Sequence, residues 1–118
     1  MYKVNLDKVR EAADHLQSVV LETPLAINAT QSRKFASSIY FKREDLQQVR
    51  SYKIRGAYNK ISSLSVNELK KGVVCASAGN HAQGVAYSCS KMKIKGLIFM
   101  PSPTPKQKIE QVKLFGGR

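Results

Sequence analysis

Two short apolar runs, Val73-Val74-Cys75-Ala76-Ser77 and Gly96-Leu97-Ile98-Phe99-Met100-Pro101, have amphipathic stretches before, between and after them. This alternation constrains the fold more than any other feature. Runs of this length, bounded by glycine and proline, predict buried strands at Val73–Ser77 and Gly96–Pro101. Strands separated by helices pair in parallel through right-handed crossovers, so the predicted class is α/β. The helix before the first strand begins near Lys53, with Ile54, Ala57, Tyr58, Ile61 and Leu64 at helical spacing. "VNELKKG" predicts a short exposed helix ending at Gly72. His81 to Met92 predicts a helix with Ala82, Val85, Ala86 and Cys89 inward. A last helix has Pro105 in its first turn, Ile109, Val112 and Leu114 or Phe115 inward, and Gly116 as a C-cap candidate.

Upstream, Asn5 can cap a helix over Leu6–Val20, with Val9, Ala12, Ala13, Leu16, Val19 and Val20 on one face. Pro24 marks a boundary, Leu25–Asn28 reads as a short strand, Ala29–Ser37 as a short helix and Ile39–Asp45 as a strand with Ile39 and Phe41 on one face. There are no internal repeats or low-complexity tracts. After Gly116-Gly117 the alternation calls for another strand. A three-layer sheet built from these strands alone would be poorly covered, and an exposed apolar edge would invite self-association. The expectation is the front part of a larger protein.

Lys and Arg number 20 against 8 Asp and Glu, a net charge of +12 over 118 residues. Such an excess suits polyanion binders. Here, however, the cations recur along the chain and many alternate with apolar residues, as on solvated faces. Zinc-finger spacing and an aromatic RNA-recognition strand are both missing. Nucleic acid is therefore not the expected partner, although a non-catalytic basic module remains an alternative. Cys75 and Cys89 form no CxxC pair and read as buried free thiols in a reducing cytosol. Met1–Leu6 leads directly into an amphipathic pattern, without a signal peptide, and no eighteen-residue apolar run predicts a membrane span.

Two stretches carry chemistry. In "CASAGNHAQGVAY" a strand runs into Ser77-Ala78-Gly79-Asn80 and a helix begins at once. The first N–H groups of that helix lack intrahelical partners and carry partial positive charge. Gly79 lets the backbone approach a ligand, and Ser77 and Asn80 add side-chain hydrogen bonds. A carboxylate or phosphate fits here, at the carboxyl end of a parallel strand. The plain alternative is an ordinary turn with Asn80 as N-cap. His81 has no second ligand at metal spacing, so no metal is expected. In "SYKIRGAYNKI", Lys53 is either one more solvated cation or an amine nucleophile. A helix N-terminus disfavours cations, and Arg50 and Arg55 crowd it beside apolar Tyr52 and Ile54. These are conditions that favour a neutral amine able to form a Schiff base.

"SYKIRGAYNKI" followed by "ASAGNHAQGVA", with "ETPL" and "YFKREDLQ" upstream and "LIFMPSPTPKQKIEQVKLFGG" downstream, resembles the tryptophan-synthase-β type (fold type II) pyridoxal-phosphate enzymes, and within them the threonine dehydratases. The resemblance covers about residues 20–118 with strong motifs. It implies that Lys53 holds pyridoxal phosphate as an internal aldimine and later removes the substrate α-proton. Asn80 would hydrogen-bond the cofactor's ring hydroxyl oxygen. The loop of Ser77, Ala78, Gly79, Asn80 and His81 would hold the substrate carboxylate. Threonine would give 2-oxobutanoate and ammonia, and serine pyruvate. Serine racemases of this fold carry a second serine where this chain has Ala78, so dehydration is favoured over a serine dehydratase/racemase-like alternative. Cysteine synthases have a threonine-rich loop in place of "SAGNHAQG".

The resemblance also implies pieces outside these 118 residues: the glycine-rich loop for the cofactor phosphate, the partner of the pyridine nitrogen, any monovalent-cation ligands and a regulatory domain. Gly116-Gly117 is too short to replace that loop. Residues 1–50 would be the helix and strands of a large domain, and 51–118 most of a truncated, lysine-bearing small α/β domain with a parallel sheet. The expected protein is a cytoplasmic or organellar homo-oligomer acting on an amino acid, and the expectation for this chain alone is little or no activity.

Overall fold

The computed structural model describes residue 3 and residues 5–118. The absence of a leader was read partly on Met1, Tyr2 and Val4, which lie outside the described residues. Helix α1 spans Leu6–Leu16 and is capped as its sequence demands, the Asn5 side chain accepting from the Lys8 N–H at 2.9 Å. It stops short of the expected Val20. Val19 and Val20 instead form a turn on the Leu16 carbonyl and pack beside Val49, Ile54 and Tyr87. Only Leu16 of α1 is buried; Leu6 and Val9 stay exposed.

Strand β1 (Leu25–Ile27) pairs antiparallel with β2 (Tyr40–Lys42), joined by α2 (Ala29–Lys34). Both strands are shorter than expected, and Phe41 is exposed rather than packed. A 3₁₀ turn at Glu44–Leu46 and an irregular loop lead to α3 (Lys53–Ser62).

From here the alternation holds. Helix α4 (Val66–Lys71) opens on a reciprocal cap, Ser65 accepting from the Glu68 N–H while Glu68 accepts from the Ser65 N–H. Gly72 follows it, then β3 (Val73–Ala76), α5 (Asn80–Lys91), β4 (Gly96–Phe99) and α6 (Lys106–Leu114). Strands β3 and β4 are parallel, with Val73 opposite Gly96 and Ala76 opposite Phe99.

Helix α5 lies on this sheet between α3 and α6. Ala57 and Ile61 of α3 meet Val85 and Cys89 over Val73 and Cys75. Ala82 and Ala86 meet Ile98 and Val112 of α6 on the other side. All three helices occupy one face. On the other, Val74 (66% exposed) and Phe99 (58%) stand in solvent with Leu97. The strands expected to be buried are thus buried on one face, and the second helical layer of a three-layer arrangement is not among the described residues.

The glycine pair is used for packing. Gly116 adopts φ +89°, which favours glycine, and turns the chain off α6. A Cβ at Gly117 would lie 2.6 Å from Val112 and 3.0 Å from Ile98. This tight turn brings Arg118 beside β4: its N–H donates to the Gly96 carbonyl at 3.1 Å and its carbonyl accepts from Ile98 at 2.8 Å. That pattern is a parallel bridge to the free edge of β4, opposite Leu97.

Candidate active site

Lys53 is the first residue of α3 and is half-buried, its ammonium 5.2 Å from the centre of the exposed Tyr52 ring. The loop before it is firmly held. Gln47, buried, uses its amide twice on Leu21, accepting from the N–H at 2.9 Å and donating to the carbonyl at 2.8 Å. Val49 and Ile54 are fully buried against Tyr87, each burial stabilising by about 1.5–3 kcal/mol. Between them Arg50 takes a left-handed φ of +54°.

Arg55 does not crowd Lys53 as a bare cation. Its guanidinium grips Glu44 with two hydrogen bonds, 2.8 Å from Nε and 2.7 Å from the second nitrogen. Glu44 also accepts from the Thr23 hydroxyl at 2.6 Å. Arg55 foremost, with Thr23 and Gln47 helping against the opposing effect of burial, holds the Glu44 carboxyl down at about 2; Glu44 in turn raises Arg55. This network joins the β1–β2 region to the lysine helix, and nothing in the motif reading pointed to it. A carboxylate and an arginine at unrelated positions give no spacing signal.

The Ser77–His81 turn sits at the carboxyl end of β3. The Ser77 N–H is fixed by the Phe99 carbonyl at 3.0 Å, and the Ser77 hydroxyl accepts from the Gly79 N–H at 3.3 Å. The N-cap of α5 is Gly79, not Asn80, and it offers no side chain to the first helical N–H groups. Asn80 is the first helical residue. Asn80 and His81 are exposed; Ser77, Ala78 and Gly79 are half-buried. Space beside Gly79 is open, since a Cβ there would meet nothing within 4 Å. The end of α5 therefore presents donors to an anion.

Gly84 joins the two motifs. Glycine in a helix interior costs about 1 kcal/mol relative to alanine, and the structure shows what it permits. A Cβ at Gly84 would lie 3.2 Å from the Lys53 carbonyl carbon and oxygen and 3.3 Å from the Ile54 nitrogen. Helix α5 thus rests on the backbone of Lys53 itself. Asn80 is one turn earlier on the same face of α5, about 6 Å along the axis. The sequence carried this signal as a buried glycine between Gln83 and Val85 within an otherwise regular helical pattern.

The thiols are set apart from this chemistry. Burial and the neighbouring Cys75 push Cys89 up to about 11, and burial raises Cys75. Among the described residues no group of three His, Cys, Asp or Glu sits together as metal ligands would, and no helix is long and apolar enough to cross a membrane.

The family profile described as "Pyridoxal-phosphate dependent enzyme" matches residues 16–118. The chain is 54% identical over 116 residues to "L-threonine dehydratase biosynthetic IlvA" of Halalkalibacterium halodurans, covering 98% of this chain and 28% of that protein. Among solved structures, maize serine racemase superposes with a TM-score of 0.92 at 35% identity, over 99% of this chain and 36% of that one. The processed form of threonine deaminase isoform 2 from Solanum lycopersicum gives 0.80 at 41% identity, over 97% and 33%. The chain thus spans about a quarter to a third of the relatives it matches. With a family match over residues 16–118, most of its length, the chain belongs to the pyridoxal-phosphate dependent enzymes.

Proposed function

We propose that this chain is the lysine-bearing part of a threonine dehydratase, a lyase converting L-threonine to 2-oxobutanoate and ammonia, and L-serine to pyruvate and ammonia. The observation that carries this reading is the seating of Gly84 on the Lys53 backbone, which sets the Lys53 helix against the uncapped start of α5. Similarity to a biosynthetic threonine dehydratase supports the substrate and a role in isoleucine formation.

The residues present fit pyridoxal phosphate. Lys53 offers an amine at the opening of its helix, and the open space beside Gly79 admits an anionic ligand. When bound, the cofactor supplies an electron sink for charge developing at the substrate α-carbon. Lys53 holds the cofactor and takes the α-proton on Nζ. The N–H groups at the start of α5, with Ser77, Ala78, Gly79, Asn80 and His81, receive the substrate carboxylate and fix the α-hydrogen towards Lys53. The Asn80 amide would help hold the cofactor ring by a hydrogen bond. Residues 1–50 belong to a large domain and 51–118 to the small one. A cytoplasmic homo-oligomer without a nucleic-acid partner completes the reading. Because Gly116 and Gly117 are committed to the turn off α6, they do not hold the cofactor phosphate, and we expect little turnover by these 118 residues alone.

The likeness to maize serine racemase favours a second reading, racemisation of serine. Ala78 weighs against it, having no hydroxyl to deliver a proton to the opposite face of the substrate.

Titration of the purified chain with pyridoxal phosphate tests the assignment. Imine absorbance, trapping with borohydride and peptide mass analysis should place the label on Lys53 at stoichiometric cofactor, and Lys53→Ala should abolish it. Label scattered over many lysines would refute the assignment.

A further inference from the structure

Among the described residues, one buried side-chain oxygen or nitrogen lacks a hydrogen-bond partner: the hydroxyl of Ser51. The residue is 7% exposed and lies two positions before Lys53. Buried polar groups are nearly always paired, and an unpaired one is a standing cost. Alanine would avoid the cost in the same volume. The residue before it, Arg50, is held at φ +54°, a second local cost.

Neither cost is an accident of a slack loop. Gln47 clamps the segment to the Leu21 backbone on one side, and fully buried Val49 and Ile54 anchor it on both flanks. The surroundings over-determine this conformation and hold a hydroxyl unsatisfied at the entrance to the lysine helix. Among the described residues the hydroxyls of the other buried serine and threonines are satisfied locally: Thr23 by Glu44, Ser88 by the Gly84 carbonyl at 2.7 Å, Thr104 by the Pro101 carbonyl at 2.6 Å. Ser51 is the exception, and it lies in the segment that delivers the nucleophile.

We infer that Ser51 is a cofactor-contacting residue, its hydroxyl kept unpaired in the protein so as to hydrogen-bond pyridoxal phosphate carried at Lys53. This rests on the Lys53 assignment above. It makes a prediction of opposite signs. Removing the hydroxyl removes an unsatisfied buried group from the cofactor-free chain and a hydrogen bond from the loaded one.

The test compares the wild-type chain with Ser51→Ala, using pyridoxal phosphate as the probe. The thermal midpoint is measured without cofactor, the dissociation constant by imine absorbance, and the labelled residue after borohydride. The expected result is an unchanged or higher midpoint for Ser51→Ala and about tenfold weaker binding, the equivalent of about 1.4 kcal/mol, with label still on Lys53. A lowered midpoint, or a variant that does not fold, identifies a structural hydroxyl and overturns the inference. Unchanged affinity with Lys53 labelled in both chains overturns it while leaving the Lys53 assignment standing. A wild-type chain that takes no label on Lys53 overturns both.

Discussion

Replacing Gly84 by alanine tests whether the lysine helix is fixed by its neighbour. Two terms oppose one another. Alanine in a helix interior gains about 1 kcal/mol over glycine. The new Cβ would stand 3.2 Å from the Lys53 carbonyl carbon and oxygen, which are backbone atoms that cannot rotate away. Relief requires α3 to retreat by a few tenths of an ångström. Yet Ile54 is locked in the core beside Val49 and Tyr87, and Arg55 is tied to Glu44. Overpacking of this kind costs about 1–3 kcal/mol. The balance is a net loss of about 1 kcal/mol for Gly84→Ala, lowering the thermal midpoint by roughly 4 °C. Gly84→Val, whose branched side chain adds bulk against the same atoms and loses helix propensity, should cost about 3 kcal/mol. Circular dichroism melts of the cofactor-free chain measure both. In parallel, the rate of borohydride-trapped labelling at Lys53 should fall in the alanine variant, because its backbone has been displaced. A Gly84→Ala chain that is more stable by the full helix-propensity gain, with unchanged labelling, would show that α3 yields freely and that Gly84 is no spacer.

Three further outcomes follow from the same structure. Glu44 is held below its ordinary value, so the stability it gives is complete above about pH 4.5 and disappears as pH falls towards about 2. Glu44→Gln should cost about 1–3 kcal/mol near neutrality and flatten that acid limb in urea titrations; an unchanged limb would contradict the pairing with Arg55. Because Cys89 is raised to about 11, iodoacetamide should modify it at pH 7 only as fast as the chain opens, and rapid alkylation of the native chain, followed by mass, would contradict its burial. Phe99→Lys with Val74→Lys should move the chain from concentration-dependent oligomers towards monomer in sedimentation, with stability within about 0.5 kcal/mol of wild type; undiminished association would exonerate that face.

Much of the fold was written in local pattern. The helix over Lys53–Ser62, the parallel pair β3–β4 and the Asn5 cap all follow from spacing and cap chemistry that act within a few residues. What failed was the inference from an apolar face to burial. Val9, Phe41, Val74 and Phe99 sit on apolar faces as expected but remain exposed, because periodicity identifies a surface without identifying its cover. The same limit applied to α1, whose pattern continued to Val20 while its backbone turned at Leu16 to send Val19 and Val20 into another cluster. At the candidate site, the helix start at Lys53 and the strand-to-helix turn at Gly79 were legible because each is a local pattern in a local setting. Gly84 was present in the motif, but its contact partner is on another helix. The Glu44–Arg55 pair and the orphaned Ser51 hydroxyl exist only as relations in space, which a linear reading does not contain.

The bridge between Arg118 and β4 has a consequence for protein engineering. With Gly96 and Ile98 already engaged, the register turns the Ile98 carbonyl and the Met100 N–H outward as the next backbone groups along that edge. Residues fused directly after Arg118 therefore start out as a strand rather than as a free tether. An affinity tag or reporter placed there will be templated according to its own β-propensity: valine- or threonine-rich leaders will lie down on β4. A proline in the first positions will peel the fusion away from it. Attachment chemistry at this end is thus a structural choice, whereas a reporter on the exposed α4 helix meets no such template.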